Sequence, residues 1–261
     1  MRFLTGLMLC AVALPAAAAI QTENVEYTVG DERHVGYLAY DDAATAAARP
    51  GVLVVPEWWG LNDYAKQRAR QLAKAGYVAF AADMYGEGQT TDDPEQAGAW
   101  AAAAKPKLRD LGKAALAELA AAPQSDANAL AAIGFCFGGT SVLELGYSDA
   151  TVEAVVSLHG HLPPPVDDDR IRTSILVLHG AADPMVPLED VTTWAKALNA
   201  RETVDWQLVM YGHAEHAFTN PNADSYGMEG VSYEPNAARR AWDQTLGFLH
   251  ERLIGDNSNA P

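Results

Sequence analysis

The sequence predicts an α/β fold: a mostly parallel central sheet with helices on both faces. Three observations carry this. From residue 51 to residue 253, short apolar runs typical of fully buried parallel strands alternate with helical stretches. Such alternation implies right-handed crossovers that lay helices over both faces of one sheet. Four loops that follow predicted strands carry polar residues a purely structural turn does not need, and the carboxyl ends of parallel strands are where functional groups collect.

The elements follow in order. Residues 24–29 and 33–40 read as paired strands turned at Gly30-Asp31, and 41–49 is an alanine-rich loop. The buried strand 51–55 leads into Pro56-Glu57-Trp58-Trp59-Gly60, then a helix capped by Asn62 or Asp63 and ended at Gly76. A strand at 77–82 precedes two helical stretches, 94–104 and 106–121. Strand 129–134, helix 138–146 and strand 151–158 come next, then strand 174–179, helix 188–200, strand 204–210 and a last helix at 235–253. No repeat or long linker divides the chain, so 20–254 reads as one domain and 255–261 as a disordered tail.

The first nineteen residues stand apart. Arg2 gives a positive start, 3–14 is an uncharged apolar run, and Pro15 precedes the small residues 16–19. That order is a secretory signal peptide, cleaved near Ala18 or Ala19, and the run falls short of the roughly 18 residues a membrane span requires. Leu9 is a poor residue to precede a lipidated cysteine, so Cys10 is expected to leave unmodified. The expectation is a secreted or periplasmic protein without stable membrane association, taken as a monomer. A formal charge of −16, from 18 Lys and Arg against 34 Asp and Glu, argues against nucleic-acid partners. Of the two cysteines, Cys136 then remains as a lone thiol in an oxidising compartment, unable to form an internal disulfide.

Its neighbours give that thiol a role. Gly134-Phe135-Cys136-Phe137-Gly138-Gly139 follows a buried strand and opens a helix, the context of a nucleophile elbow with cysteine in place of serine. The glycines allow the sharp turn, and the helix N-terminus favours a thiolate. The bland reading is a core cysteine in a glycine-rich turn. Next, Leu178-His179-Gly180-Ala181-Ala182-Asp183 offers Asp183 to orient a histidine, although Asp-Pro alone is more often a turn starter. In the stretch 211–218, His216 is the expected base and His213 its rival. Nucleophile, acid, histidine is the chain order of α/β-hydrolase triads, and in that fold the backbone N–H groups of Phe137 and Trp58 would form the oxyanion hole.

Taken together, G-F-C-F-G-G at 134–139, H-G-x-x-D at 179–183, H-A-F at 216–218 and the early Pro-Glu-Trp-Trp-Gly resemble the dienelactone hydrolases over about residues 25–253. The resemblance implies an α/β-hydrolase fold, a Cys136–His216–Asp183 triad and no cofactor. It also implies that Glu57 engages the thiol at rest and helps generate thiolate; otherwise Glu57 caps the following helix or is solvated. Two arginines that grip the dienelactone carboxylate in such enzymes are missing: one position is Asn220, and no arginine lies between Arg70 and Arg109. Ala217 stands where a serine is frequent. A neutral ester or lactone is therefore expected over dienelactone, in a pocket lined by Trp59, Tyr85, Trp100, Phe218 and Asn220 as well as Trp58 and Phe137. The polar segment 220–235 is long enough to serve as a lid. Two other readings compete: a metal-dependent hydrolase using His159, His161, His213 and His216, and a non-catalytic thiol-sensing or binding protein.

Overall fold

Strands β1 (Ile20–Val29) and β2 (Glu32–Asp41) form the antiparallel hairpin, turned at Gly30 with φ +60°. The computed structural model describes residues 19–42, 48–167 and 170–255. The signal-peptide reading of 1–18 and the tail at 256–261 lie outside the described residues, as does most of the 41–49 loop.

Past the hairpin come β3 (Arg49–Val55), α1 (Asp63–Lys74), β4 (Val78–Ala81), α2 (Pro94–Ala104), α3 (Leu108–Ala121) and β5 (Ser125–Phe135). They are followed by α4 (Phe137–Tyr147), β6 (Ala154–Leu158), β7 (Ser174–Gly180), α5 (Leu188–Asn199), β8 (Trp206–Tyr211) and α6 (Pro235–Leu253). All eight strands join one sheet in the order β1-β2-β4-β3-β5-β6-β7-β8, antiparallel at the hairpin edge and parallel from β4 to β8. The expected α/β-hydrolase architecture is thus present.

Helices cover both faces because β3 alternates its burial between them. Leu53 and Val55 pack with Leu111, Leu119, Val142 and Trp194 from α3, α4 and α5 on one side. Val52 and Val54 pack with Leu72, Ala69, Phe248 and Leu249 from α1 and α6 on the other. Each large aliphatic or aromatic side chain so buried contributes about 1.5–3 kcal/mol. Asn62 is the cap of α1, its side chain accepting from Ala65 N–H at 3.3 Å, and Gly76 (φ +98°) follows the helix end. Several boundaries differ from expectation: β1 begins at Ile20 rather than 24, β3 at Arg49 rather than 51, β6 at Ala154 rather than 151 and β8 at Trp206 rather than 204. A 3-10 turn at Lys105–Lys107 delays α3 to Leu108, and β5 begins at Ser125 because residues 125–126 pair with Arg49 and Pro50 before a register shift. The polar 125–128 stretch looks like loop in sequence, and only the neighbouring strand makes it sheet. Among the described residues no helix is long and apolar enough to cross a membrane.

Candidate active site

At the carboxyl end of β5 the chain reverses through Cys136, which adopts φ +53° and ψ −115°. A non-glycine residue held there is strained by about 1–3 kcal/mol, and its surroundings must enforce it. They do so by closeness. A Cβ on Gly134 would fall on the carbonyl of Gly138, and one on Gly138 would fall on the Val55 and Pro56 carbonyls. The Cys136 N–H is held as well, by Leu158 O at 3.0 Å and by His159 Nδ1 at 3.1 Å. The result is a half-buried thiol facing the loops after β3, β7 and β8.

His216, after β8, places Nε2 3.1 Å from Cys136 Sγ and Nδ1 2.8 Å from Asp183 Oδ2. Asp183, after β7, is fixed in turn by the N–H groups of Met185 (2.8 Å) and Val186 (3.2 Å) on its other oxygen. Burial opposes charge on His216, but the adjoining Cys136 sulfur and Asp183 carboxylate outweigh it and raise its pKa well above the ordinary 6.5. The geometry therefore suits proton transfer between the thiol and the imidazole. His213, the rival, lies on an exposed turn with φ +64° and does not reach the thiol.

Glu57 is fully inside the protein, and burial lifts its pKa to about 7 even though a hydrogen bond from Asn220 lowers it. Its Oε2 accepts from Asn220 Nδ2 at 2.7 Å, while Oε1 has no partner. The thiol faces the imidazole here, so the resting Glu57–Cys136 contact that the resemblance implied is replaced by Glu57–Asn220. Asn220 also donates to Tyr226 OH at 3.1 Å and accepts from Asn222 N–H at 2.9 Å. It is behind the pocket wall and holds Glu57 rather than facing a ligand.

A cavity of about 690 Å³ opens over Cys136. Of the expected lining, Trp58, Trp59 and Phe137 bound it, but Tyr85, Trp100, Phe218 and Asn220 do not. Phe218 is fully buried core against Tyr211 and His159, and the Tyr85 and Trp100 rings pack against each other beyond Phe137. Their places are taken by Leu162, Met185, Tyr226, Met228 and Val231. The last three belong to the 220–235 segment, which folds through a 3-10 turn at Ala223–Tyr226 and a bridge from Val231 to His216. The clue in sequence was the run of large apolar side chains in an otherwise polar loop. Lys105 also lines the cavity, beside Glu144 and Asp190, and is missed when only arginines are sought. The N–H groups of Phe137 and Trp58 have no acceptor among the described residues.

The four histidines of the metal reading do not converge. His159 Nδ1 accepts from Cys136 N–H, so its Nε2 carries the proton and donates to Thr219 Oγ1 at 2.7 Å. Burial, with His216 and Arg68 nearby, keeps its pKa well below the ordinary range, so it stays neutral. With His216 also engaged at both nitrogens and His213 on a remote turn, no group of three His, Cys, Asp or Glu side chains is arranged to hold a metal among the described residues.

Residues 35–253 match the dienelactone hydrolase family. Among solved structures, the one described as "m3DLH" is 43% identical, superposes with a TM-score of 0.85, and covers 90% of this chain and 99% of its own. A dienelactone hydrolase-like promiscuous phosphotriesterase from metagenomic libraries is 40% identical with the same TM-score of 0.85 and the same coverage, 90% and 99%. A Bradyrhizobium sp. protein named a probable 2-oxo-3-(5-oxofuran-2-ylidene)propanoate lactonase is 28% identical across 92% of this chain and 98% of its own.

Proposed function

The chain belongs to the dienelactone hydrolase family and is a hydrolase of the ester or lactone type, and from that premise we propose that it acts through the thiol of Cys136 on neutral, partly apolar substrates. The observation that carries the proposal is the unbroken line Cys136 Sγ–His216 Nε2 (3.1 Å) and His216 Nδ1–Asp183 Oδ2 (2.8 Å).

Cys136 Sγ gives its proton to His216 Nε2 and attacks the carbonyl carbon, whose oxygen becomes an oxyanion held by the Phe137 and Trp58 N–H groups. Collapse of the tetrahedral species expels the alcohol oxygen, which takes the proton from His216 and leaves a thioester on Cys136. His216 then deprotonates water for attack on the thioester, and the thiolate departs and is reprotonated as the acid leaves. Asp183 keeps the imidazole in the tautomer both halves require. Glu57, with a pKa of about 7 and one free oxygen, is placed to exchange protons with groups entering the site near neutrality.

The preference for neutral substrates rests on the walls. Trp58, Trp59, Leu162, Met185, Met228 and Val231 are apolar, Glu144 is paired with Arg109 at 2.8 Å, and Asp190 shares the wall with Lys105. An anionic acyl group would meet one lysine, Lys105, and no guanidinium among the described lining residues, and a buried charge without a close, well-placed partner costs several kcal/mol. Comparing wild type and Cys136→Ala on a neutral aryl ester tests the reading: turnover should vanish in the variant, and near-normal turnover would end it. The export signal at 1–19 remains part of the proposal, supported by its charged, apolar and small-residue order, and the intact mass of the exported protein tests it.

A further inference from the structure

We infer that Tyr85 is a positioning residue that clamps the two halves of the oxyanion hole together. The inference rests on the thiol mechanism above and concerns the two backbone N–H groups that would receive the negative oxygen. One of them, Trp58, sits in the turn after β3 that is closed by Gly60 N–H donating to Glu57 O at 3.2 Å. The other, Phe137, opens α4, so the two donors come from loops with no strand or helix in common.

Tyr85 touches both. Its hydroxyl donates to the Trp58 carbonyl at 2.9 Å, which pins the 58–59 peptide and, through the shared Trp58 Cα, limits rotation of the adjoining 57–58 peptide that bears the Trp58 N–H. Its ring packs at a tilt against that of Phe137, 5.8 Å between centroids, and against Trp100 of α2 at 5.4 Å. The tyrosine is itself held from behind. Asp83 Oδ1 accepts from the N–H groups of Tyr85 (3.1 Å) and Gly86 (3.0 Å), and its Oδ2 accepts from Val35 (2.9 Å) and Gly88 (2.8 Å). The turn that bears Trp58 is locked on its other side at Gly60, which bridges Thr90. Burial, followed by the nearby Cys136 sulfur, raises the Tyr85 pKa above its ordinary value, so the hydroxyl remains a proton donor across the working range. The side chain does not line the cavity, which separates this role from substrate contact.

Positioning of an oxyanion hole and maintenance of a nucleophile leave different signatures. Tyr85→Phe keeps the ring packing and removes only the bond to Trp58. We expect kcat for a neutral aryl ester to fall by about tenfold, the usual scale for one lost hydrogen bond expressed at the transition state. KM should change by less than about twofold, since the ground-state substrate does not use the donors fully. Affinity for a trifluoromethyl ketone, which captures the thiol as a tetrahedral oxyanion, should fall in parallel with kcat. Alkylation of Cys136 by iodoacetamide, which develops no oxyanion, should proceed at the wild-type rate. Tyr85→Leu, which also removes the ring packing against Phe137, should lower kcat further. Wild-type kcat in Tyr85→Phe would overturn the inference, as would an alkylation rate that falls as far as kcat. The thiol mechanism is tested separately by Cys136→Ala, so the two failures are distinguishable.

Discussion

Asn220 lies 163 residues from Glu57 in the chain, yet its side-chain amide donates to the buried Glu57 carboxylate at 2.7 Å. That contact explains why the residue standing at the position of a carboxylate-gripping arginine is not at the pocket surface. It also leaves Glu57 a buried acid with one oxygen bonded to Asn220 and a second that has no hydrogen-bond partner among the described residues.

The first prediction concerns stability against pH. Burial raises the Glu57 pKa from the ordinary 4.5 to about 7. Between those values the folded chain binds more protons than the unfolded chain, so this group's contribution is fully present below about pH 4.5 and is lost as pH rises through about 7. The loss is about 3 kcal/mol at full shift. Glu57→Gln keeps an acceptor for Asn220 and cannot ionise. Urea unfolding should find the variant more stable than wild type at pH 8, with the difference closing toward pH 4. A gap that does not change with pH would contradict the assignment.

A second prediction ranks the acid and base. Asp183→Asn should lower kcat/KM by about 10²-fold or more, because His216 loses the acceptor that sets its tautomer. His216→Ala should cost at least about 10³-fold, as expected for a group that handles the proton in every step. His213→Ala, at an exposed turn, should stay within about twofold. Steady-state kinetics on one neutral ester decide the order, and a larger loss for His213 than for His216 would move the base.

Glycine substitutions offer a contrast. Gly138→Ala would press a Cβ onto the Val55 and Pro56 carbonyls, and backbone cannot step aside as a flexible side chain does. It should cost at least about 3 kcal/mol. Gly247, exposed on α6, has nothing within 4 Å of its Cβ position. Gly247→Ala should stabilise the fold by about 0.5–1 kcal/mol through helix propensity. Thermal unfolding of the pair should move in opposite directions, and a tolerated Gly138→Ala would refute the tight elbow.

The substrate prediction follows from the walls of the cavity. A neutral short-chain aryl ester should show at least about tenfold higher kcat/KM than a matched ester with a carboxylate on the acyl side, the scale of one missing charge-assisted contact. Preference for the anion would mean that Lys105 reaches the acyl group and outweighs Glu144 and Asp190.

Much of this was readable in the sequence. Buried runs such as 51–55 and 174–179 announce strands because they are short, apolar and too brief for a buried helix, and Gly134 to Gly139 announces an elbow because its glycines permit the close approach. The chain order Cys136, Asp183, His216 then singles out residues that the fold brings within hydrogen-bonding distance. What sequence could not separate was the pocket surface from the layer behind it. Phe218, Asn220 and Tyr85 lie in loops that follow strands, where pocket residues collect, and Trp100 lies in α2. Whether such a side chain faces the cavity or its back depends on one χ1 angle and on partners from distant segments, here Glu57, Trp58 and Phe137. His159, part of the competing metal reading, shows the same limit. Its spacing to His161 suggests metal ligation, while its nitrogens in fact face the Cys136 amide and Thr219.

The central claim is that Cys136 carries the acyl group. Acid-quenching the enzyme during turnover of a slowly hydrolysed neutral ester and measuring its intact mass tests this directly. A species heavier by the acyl group minus one hydrogen is expected, mapped to Cys136 by peptide analysis, lost on treatment with hydroxylamine and missing in Cys136→Ala. Full hydrolytic activity in Cys136→Ala, with no acyl adduct in the wild type, would contradict the account.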